Sequence, residues 1–211
     1  MRGMSHPAPE TPTDWDALVT SLIASRQSVP PKRLVAPGPS AEQLSRLVQA
    51  AHTAPDHRGL QPWRLIHIAD DQRAALADLF EACSRDREPD LPADRIADSR
   101  SKAHRAPCLL LAVLCHQPED PEVPATERAV SLGAALMAML LAAHGMGLAG
   151  MLTSGRAVRT ARFAQAFGLA AHEQAVCFVS LGTPHGARRR DRGDASARIS
   201  PWISARHGPG T

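Results

Sequence analysis

CLLLAVLC, residues 108–115, is an unbroken apolar run of strand length. A strand with one wet face alternates apolar and polar side chains, so this run predicts a central strand buried on both faces. Upstream, WRLIHIA at 63–69 does alternate, with Trp63, Leu65, His67 and Ala69 on one face and Ile66 and Ile68 on the other. Downstream, Gly147 to Met151 predicts a short strand, and AVCFVSL at 175–181 a last one before Gly182-Thr183-Pro184. Helical patterns lie between them.

The longest of these helices is predicted over Thr126 to His144 and is hydrophobic nearly all round. Gly133, Ala134, Ala138 and Ala142 allow a neighbouring helix to approach closely, and such a helix must be enclosed by the sheet, by other helices or by a second subunit. Its apolar run, Ala129 to Ala143, holds 15 residues, short of the roughly 18 to 20 that cross a bilayer. A first helix, capped by Thr13 or Asp14, carries Trp15, Leu18, Val19, Leu22 and Ile23 at helical spacing and ends near Ser25. Ser40 and Gln43 open a second as a capping box, with Leu44, Leu47, Val48 and Ala51 on one face. Others are expected from Asp70 or Asp71 to Cys83, from Ala93 to His104 and from Ala157 to Phe167. Prolines hold Val29 to Pro39 as an extended loop, Ser84 to Pro92 is read as a linker or lid, and Gln117 to Pro124 as an acidic loop.

Residues 1–13 are expected to be a disordered tail, residues 14–184 the folded domain and residues 185–211 a basic tail or arm. The formal charge is +3, and from Pro184 onward six Arg against two Asp make a local +4 that leaves the rest of the chain at −1. A polyanionic partner therefore has little support outside the tail. Hydrophobic residues at 44% and charged residues at 21% are ordinary globular values. Met1 to Trp15 has proline and polar residues where a secretory signal needs an apolar stretch, so the expectation is a cytoplasmic protein. Cys83, Cys108, Cys115 and Cys177 are widely spaced and read as reduced core thiols.

The densest polar loop is APDHRGLQPW at 54–63, where two prolines and a glycine impose an irregular backbone on Asp56, His57, Arg58 and Gln61. Ten histidines invite a metal reading, but no CxxC or HExxH pattern accompanies them. Gly-x-Ser-x-Gly is absent, and Thr153-Ser154-Gly155 is equally well explained as a turn. Gly145-Met146-Gly147-Leu148-Ala149-Gly150 has the letters of a dinucleotide fingerprint but follows a helix and opens a strand, the reverse of the required context. Arg26 to Ser28 offers a planar charged fork and a short hydroxyl, which suit a phosphate ester, and the same residues equally suit capping of the first helix.

Several separated segments together resemble the flavin-dependent nitroreductase family, in its short bacterial members, over Asp14 to Pro184. They are Ser25-Arg26-Gln27-Ser28 with Lys32-Arg33-Leu34, Ala54-Pro55-Asp56-His57 with Gln61-Pro62-Trp63, the Ala- and Met-rich helix ending in His144-Gly145-Met146-Gly147, Thr153-Ser154-Gly155, and Leu181-Gly182-Thr183-Pro184. The resemblance implies an α+β fold with a mixed central sheet flanked by helices, and a domain completed by homodimerisation. It implies FMN at each end of the dimer interface, NAD(P)H as electron donor and a small-molecule acceptor. It also implies roles: Arg26 and Ser28 at the phosphate and ribityl chain, Gln27 beside them, Thr53 and His57 facing from the other subunit, and Leu152, Thr153 and Ser154 near the ring or its tail. Gln27, Thr53 and Thr153 are neutral where relatives often carry a basic residue. The competing reading is a flavin-less dimeric scaffold whose basic tail binds an acidic partner or nucleic acid.

Overall fold

The computed structural model describes residues 12–116, 121–186, 193 and 198–202. One sheet contains β1 (Leu34–Val35), β2 (Trp63–His67), β3 (Cys108–Cys115), β4 (Ala149–Thr153) and β5 (Glu173–Pro184). β5 is its hub, pairing antiparallel with β3, β4 and β1, while β2 pairs antiparallel with β3. The pairings among these strands are all antiparallel, and outside them an isolated parallel bridge joins Ser28 to Gly150.

β3 is buried on both faces. Cys108, Leu110, Ala112 and Leu114 enter a layer with α2 (Ala41–His52) and α5 (Ala125–Gly145), whereas Leu109, Leu111 and Val113 enter the opposite layer with α3 (Arg73–Arg87). Trp63 and Leu65 join the first layer and Ile66 and Ile68 the second, the faces that alternation in β2 predicts. A register shift beside Ala112 inserts Val176 into β5, so that Val176 and Cys177 pack on the same side. The capping box of α2 is present, with Gln43 N–H donating to Ser40 Oγ at 3.1 Å and Ser40 N–H to Gln43 Oε1 at 2.9 Å.

Four stretches depart from expectation. Val29 to Pro39 is not a plain loop, because Pro31–Arg33 forms a 3-10 turn and Leu34 and Val35 pair with Pro184 and Thr183, which also carries β5 beyond Leu181. The expected linker at Ser84 is helical to Arg87: Arg85 bonds Glu81 at 2.9 Å, and Asp86 takes both Arg162 donors, so the charges stabilise the last turn. Only Glu88 to Pro92 then links α3 to α4 (Ala93–Ser101). The helix expected from Ala157 breaks at Thr160, which is extended and whose Oγ1 accepts from Phe163 N–H at 3.2 Å, so a 3-10 turn (Ala157–Arg159) precedes a short α6 (Ala161–Ala166). The strand expected from Gly147 starts at Ala149 because Gly147, at φ 78°, still turns out of α5.

The first helix, α1 (Pro12–Ser25), leaves its apolar side uncovered, with Trp15, Leu18, Val19 and Ile23 all exposed. On α5, Val130 is 72% exposed although the opposite side of that helix is core. The residues 1–11, Gln117–Asp120 and Arg188–Arg190 that carried tail and acidic-loop expectations lie outside the described residues.

Candidate cofactor site

α5 has a cluster of chemistry-bearing residues at each end. At its C-terminal turn, His144 Nε2 lies 2.8 Å from Ser25 Oγ, which ties down the end of α1 and the segment that follows. Val29 N–H then donates to Gly150 O at 3.2 Å, and Val29 is buried, so Arg26, Gln27 and Ser28 are laid along the start of β4. Arg26 and Gln27 are half-buried and Ser28 is exposed. Further along β4 come Leu152, 37% exposed, half-buried Thr153 and exposed Ser154, and a side chain placed at Gly155 would meet nothing within 4 Å. The structure therefore brings Arg26, Gln27, Ser28, Leu152, Thr153 and Ser154 to one edge, a basic fork and hydroxyls beside open space. That donor set suits a phosphate ester.

At the N-terminal turn of α5 stands the other group. His57 Nδ1 is 2.6 Å from Glu127 Oε2 and Arg58 Nη2 is 2.9 Å from Glu122 Oε2, which clip the polar loop to the helix start. The loop is bent by Arg58 (φ 61°), Gly59 (φ 68°) and Gln61 (φ 45°), three left-handed positions in four residues. Two of them are not glycine, a conformation that costs energy and is held here by Gln61 N–H donating to Asp56 Oδ2 at 3.1 Å and Pro62 packed in the core. Thr53 caps α2, its Oγ1 donating to Ala50 O at 2.8 Å, and is exposed. With 21 residues in α5, the two groups are held about 30 Å apart within one chain at 1.5 Å per residue. Thr53 and His57 are thus not brought to Arg26 and Ser28 by this chain's own fold.

Other chemistry is restricted. All four cysteines are free. Burial pushes the Cys108 and Cys177 thiols up to about 11, so they stay protonated and serve as packing rather than as nucleophiles. Among the described residues no three His, Cys, Asp or Glu side chains form a metal-binding group. Sequence reasoning missed Glu127 and Glu122, the carboxylates that hold the polar loop, and Gly150, which seats Arg26 to Ser28. Charge opposite charge at the start of the long helix was the available signal for the first two.

The nitroreductase family model matches residues 23–183. The chain is 34% identical over 168 residues to "Putative NAD(P)H nitroreductase" of Haemophilus influenzae, covering 80% of this chain and 88% of that one. It is 34% identical over 170 residues to the Escherichia coli protein of the same name, YdjA, again at 80% and 88% coverage. Among solved structures it resembles a nitroreductase-like family protein from Bacillus cereus at TM-score 0.72 and 17% identity, over 96% of this chain and 100% of that one. It also resembles the NADPH:FMN oxidoreductase of Vibrio harveyi, complexed with NAD+, at TM-score 0.67 and 20% identity, over 88% and 77%. At those identities the structural likeness speaks to the fold.

Proposed function

The chain belongs to the nitroreductase family, and on that premise we propose that it is a homodimeric, FMN-dependent NAD(P)H oxidoreductase whose acceptor is a nitroaromatic, a quinone or a similar small molecule. The observation that carries this reading is the seating of Arg26 to Ser28 on β4 ahead of Leu152 to Ser154, which joins a phosphate clamp to an open edge. The names of relatives, NAD(P)H nitroreductase and NADPH:FMN oxidoreductase, supply the donor and the flavin by analogy.

FMN, when bound, supplies the hydride chemistry, so the protein needs no side-chain nucleophile. Arg26 and Ser28 would hold its phosphate, with Gln27 beside them, and Leu152, Thr153 and Ser154 would line the ring or its tail. The partner subunit's Thr53 and the partner subunit's His57 would complete the site, His57 being oriented by the carboxylate of Glu127. Two copies of α5 packed antiparallel would bring the C-terminal group of one chain to the N-terminal group of the other. The uncovered apolar side chains of α1 and Val130 of α5 suit such an interface. Donor and acceptor would take turns at one open face, a ping-pong scheme.

The purified protein is expected to show flavin absorbance, alone or after addition of FMN, and to bleach with NADPH under argon. A colourless protein that takes up no FMN refutes the reading. Arg26→Ala is expected to weaken FMN binding by about tenfold or more, the loss of a charged hydrogen bond. An unchanged Kd removes the role given to Arg26.

A further inference from the structure

A cavity of about 540 Å³ lies between the sheet and the α3–α4 layer, and Thr153 and Ser154 at the end of β4 open onto it. Phe80, Leu109, Val158 and Phe178 give it apolar walls, with the Phe80 and Phe178 rings edge to face at 5.7 Å. Ser180, on β5, also lines it: the residue is 2% exposed, and its hydroxyl makes no hydrogen bond to any described residue.

The charges around this cavity are unequal. Lys102 and Arg105 line it but are both turned to Asp98. Arg87, Arg95 and Arg156 line it as well and, among the described residues, their guanidinium groups make no hydrogen bond or ion pair; the remaining carboxylate there is Glu88. Elsewhere on these helices arginine is treated differently. Arg73 stands 3.9 Å from Asp70, Arg85 pairs with Glu81, Arg100 with Asp78 and Glu81, and Arg162 with Asp86. Among the described residues, the arginines of α3, α4 and α6 left unpaired are therefore Arg87 and Arg95, which line the cavity together with Arg156 in the segment after β4. Clustered like charges repel, and a carboxylate or phosphate relieves that repulsion by accepting the guanidinium donors in pairs.

We propose that this cavity binds an anionic aromatic small molecule, its carboxylate or phosphate held by Arg87, Arg95 and Arg156 and its ring by the phenylalanine walls, with the Ser180 hydroxyl as a buried donor. A volume of this size suits a small organic ligand, and aromatic walls suit a flat one. Because the cavity adjoins Thr153 and Ser154, the bound anion is the electron acceptor. That last assignment rests on the oxidoreductase reading, whereas the preference for an anion does not.

The test is isothermal titration of the full chain, supplied with excess FMN, with 4-nitrobenzoate and with neutral 4-nitrobenzyl alcohol. Wild type is expected to bind the carboxylate about tenfold more tightly than the alcohol. In Arg95→Gln/Arg156→Gln that preference disappears while the affinity for the alcohol and the melting temperature stay close to wild type, and lysine at both positions restores part of it. Adenosine 2′,5′-bisphosphate forms the second arm. If it binds and 4-nitrobenzoate does not, with the same loss in the double variant, the anion site stands and its ligand is the donor's phosphate. If neither anion distinguishes wild type from the double variant, the inference is overturned. Binding of 4-nitrobenzoate by a protein that oxidises no NAD(P)H preserves the anion site and removes the oxidoreductase reading instead.

Discussion

Two buried or half-buried charges show what single residues contribute. At the start of β5, both oxygens of Glu173 accept from Arg64, Nε at 2.5 Å and Nη2 at 2.9 Å, and Oε2 also accepts from Ala170 N–H at 3.0 Å. The Arg64 hydrogen bonds are the main cause that holds the Glu173 carboxyl at about 2, below its ordinary 4.5. A folded value below the unfolded one means the stabilisation is present above about pH 4.5 and is lost as pH falls toward 2. After allowance for screening at the partly exposed Arg64, it amounts to about 2 kcal/mol. Thermal melts between pH 6 and pH 3 should fall more steeply for wild type than for Glu173→Gln. Arg73 is the opposite case: 4% exposed, it donates Nη1 to Ala103 O at 3.0 Å but has Nε and Nη2 buried without hydrogen bonds. Burial lowers its pKa, and Arg73→Met is expected to be neutral or stabilising by about 1 to 2 kcal/mol in urea unfolding. No periodicity in the sequence separates these two arginines, because Glu173 and Ala103, which accept their hydrogen bonds, are distant along the chain.

Among the elements, β4 links fold and site. A Cβ at Gly150 would lie 2.8 Å from both Leu181 Cδ2 and Ser180 O and 2.9 Å from Leu140 Cδ2, so β4 is wedged between β5 and α5 at a distance only glycine allows. Gly150→Ala is expected to destabilise the chain by about 1 to 3 kcal/mol. Since Gly150 O holds Val29 N–H, the same substitution should weaken FMN binding, measured by fluorescence titration. A variant that is destabilised with unchanged FMN affinity would separate β4 packing from the seating of Arg26. The strands β2, β3 and β5 and the cap of α2 were legible because alternation, unbroken apolarity and a capping box are local signals. The break at Thr160 was not, because a threonine that caps and a threonine inside a helix look alike until Phe163 N–H is seen to bond it.

For the whole molecule, the separation of the two residue groups along α5 makes assembly the main question. Val130 is 72% exposed on that helix, and a two-fold interface presents each substituted side chain twice. Val130→Arg should therefore convert a dimer into a monomer by light scattering and abolish tight FMN binding together with it. A monomer that keeps its FMN affinity would refute the composite site.

From the sequence alone came the two-faced central strand and the residues of each strand face, which rest on spacing within a few residues, and the segments whose resemblance to the family implies the α+β class. Only the tertiary structure decided that Arg26 to Ser28 lies on β4, that His57 sits at the other end of α5 against Glu127, and that Arg87, Arg95 and Arg156 are left unpaired among the described residues around one cavity. Those are relations between residues far apart in the chain. Packing settles them, because a charge finds its partner, or fails to find one, only when the helices have taken their places on the sheet.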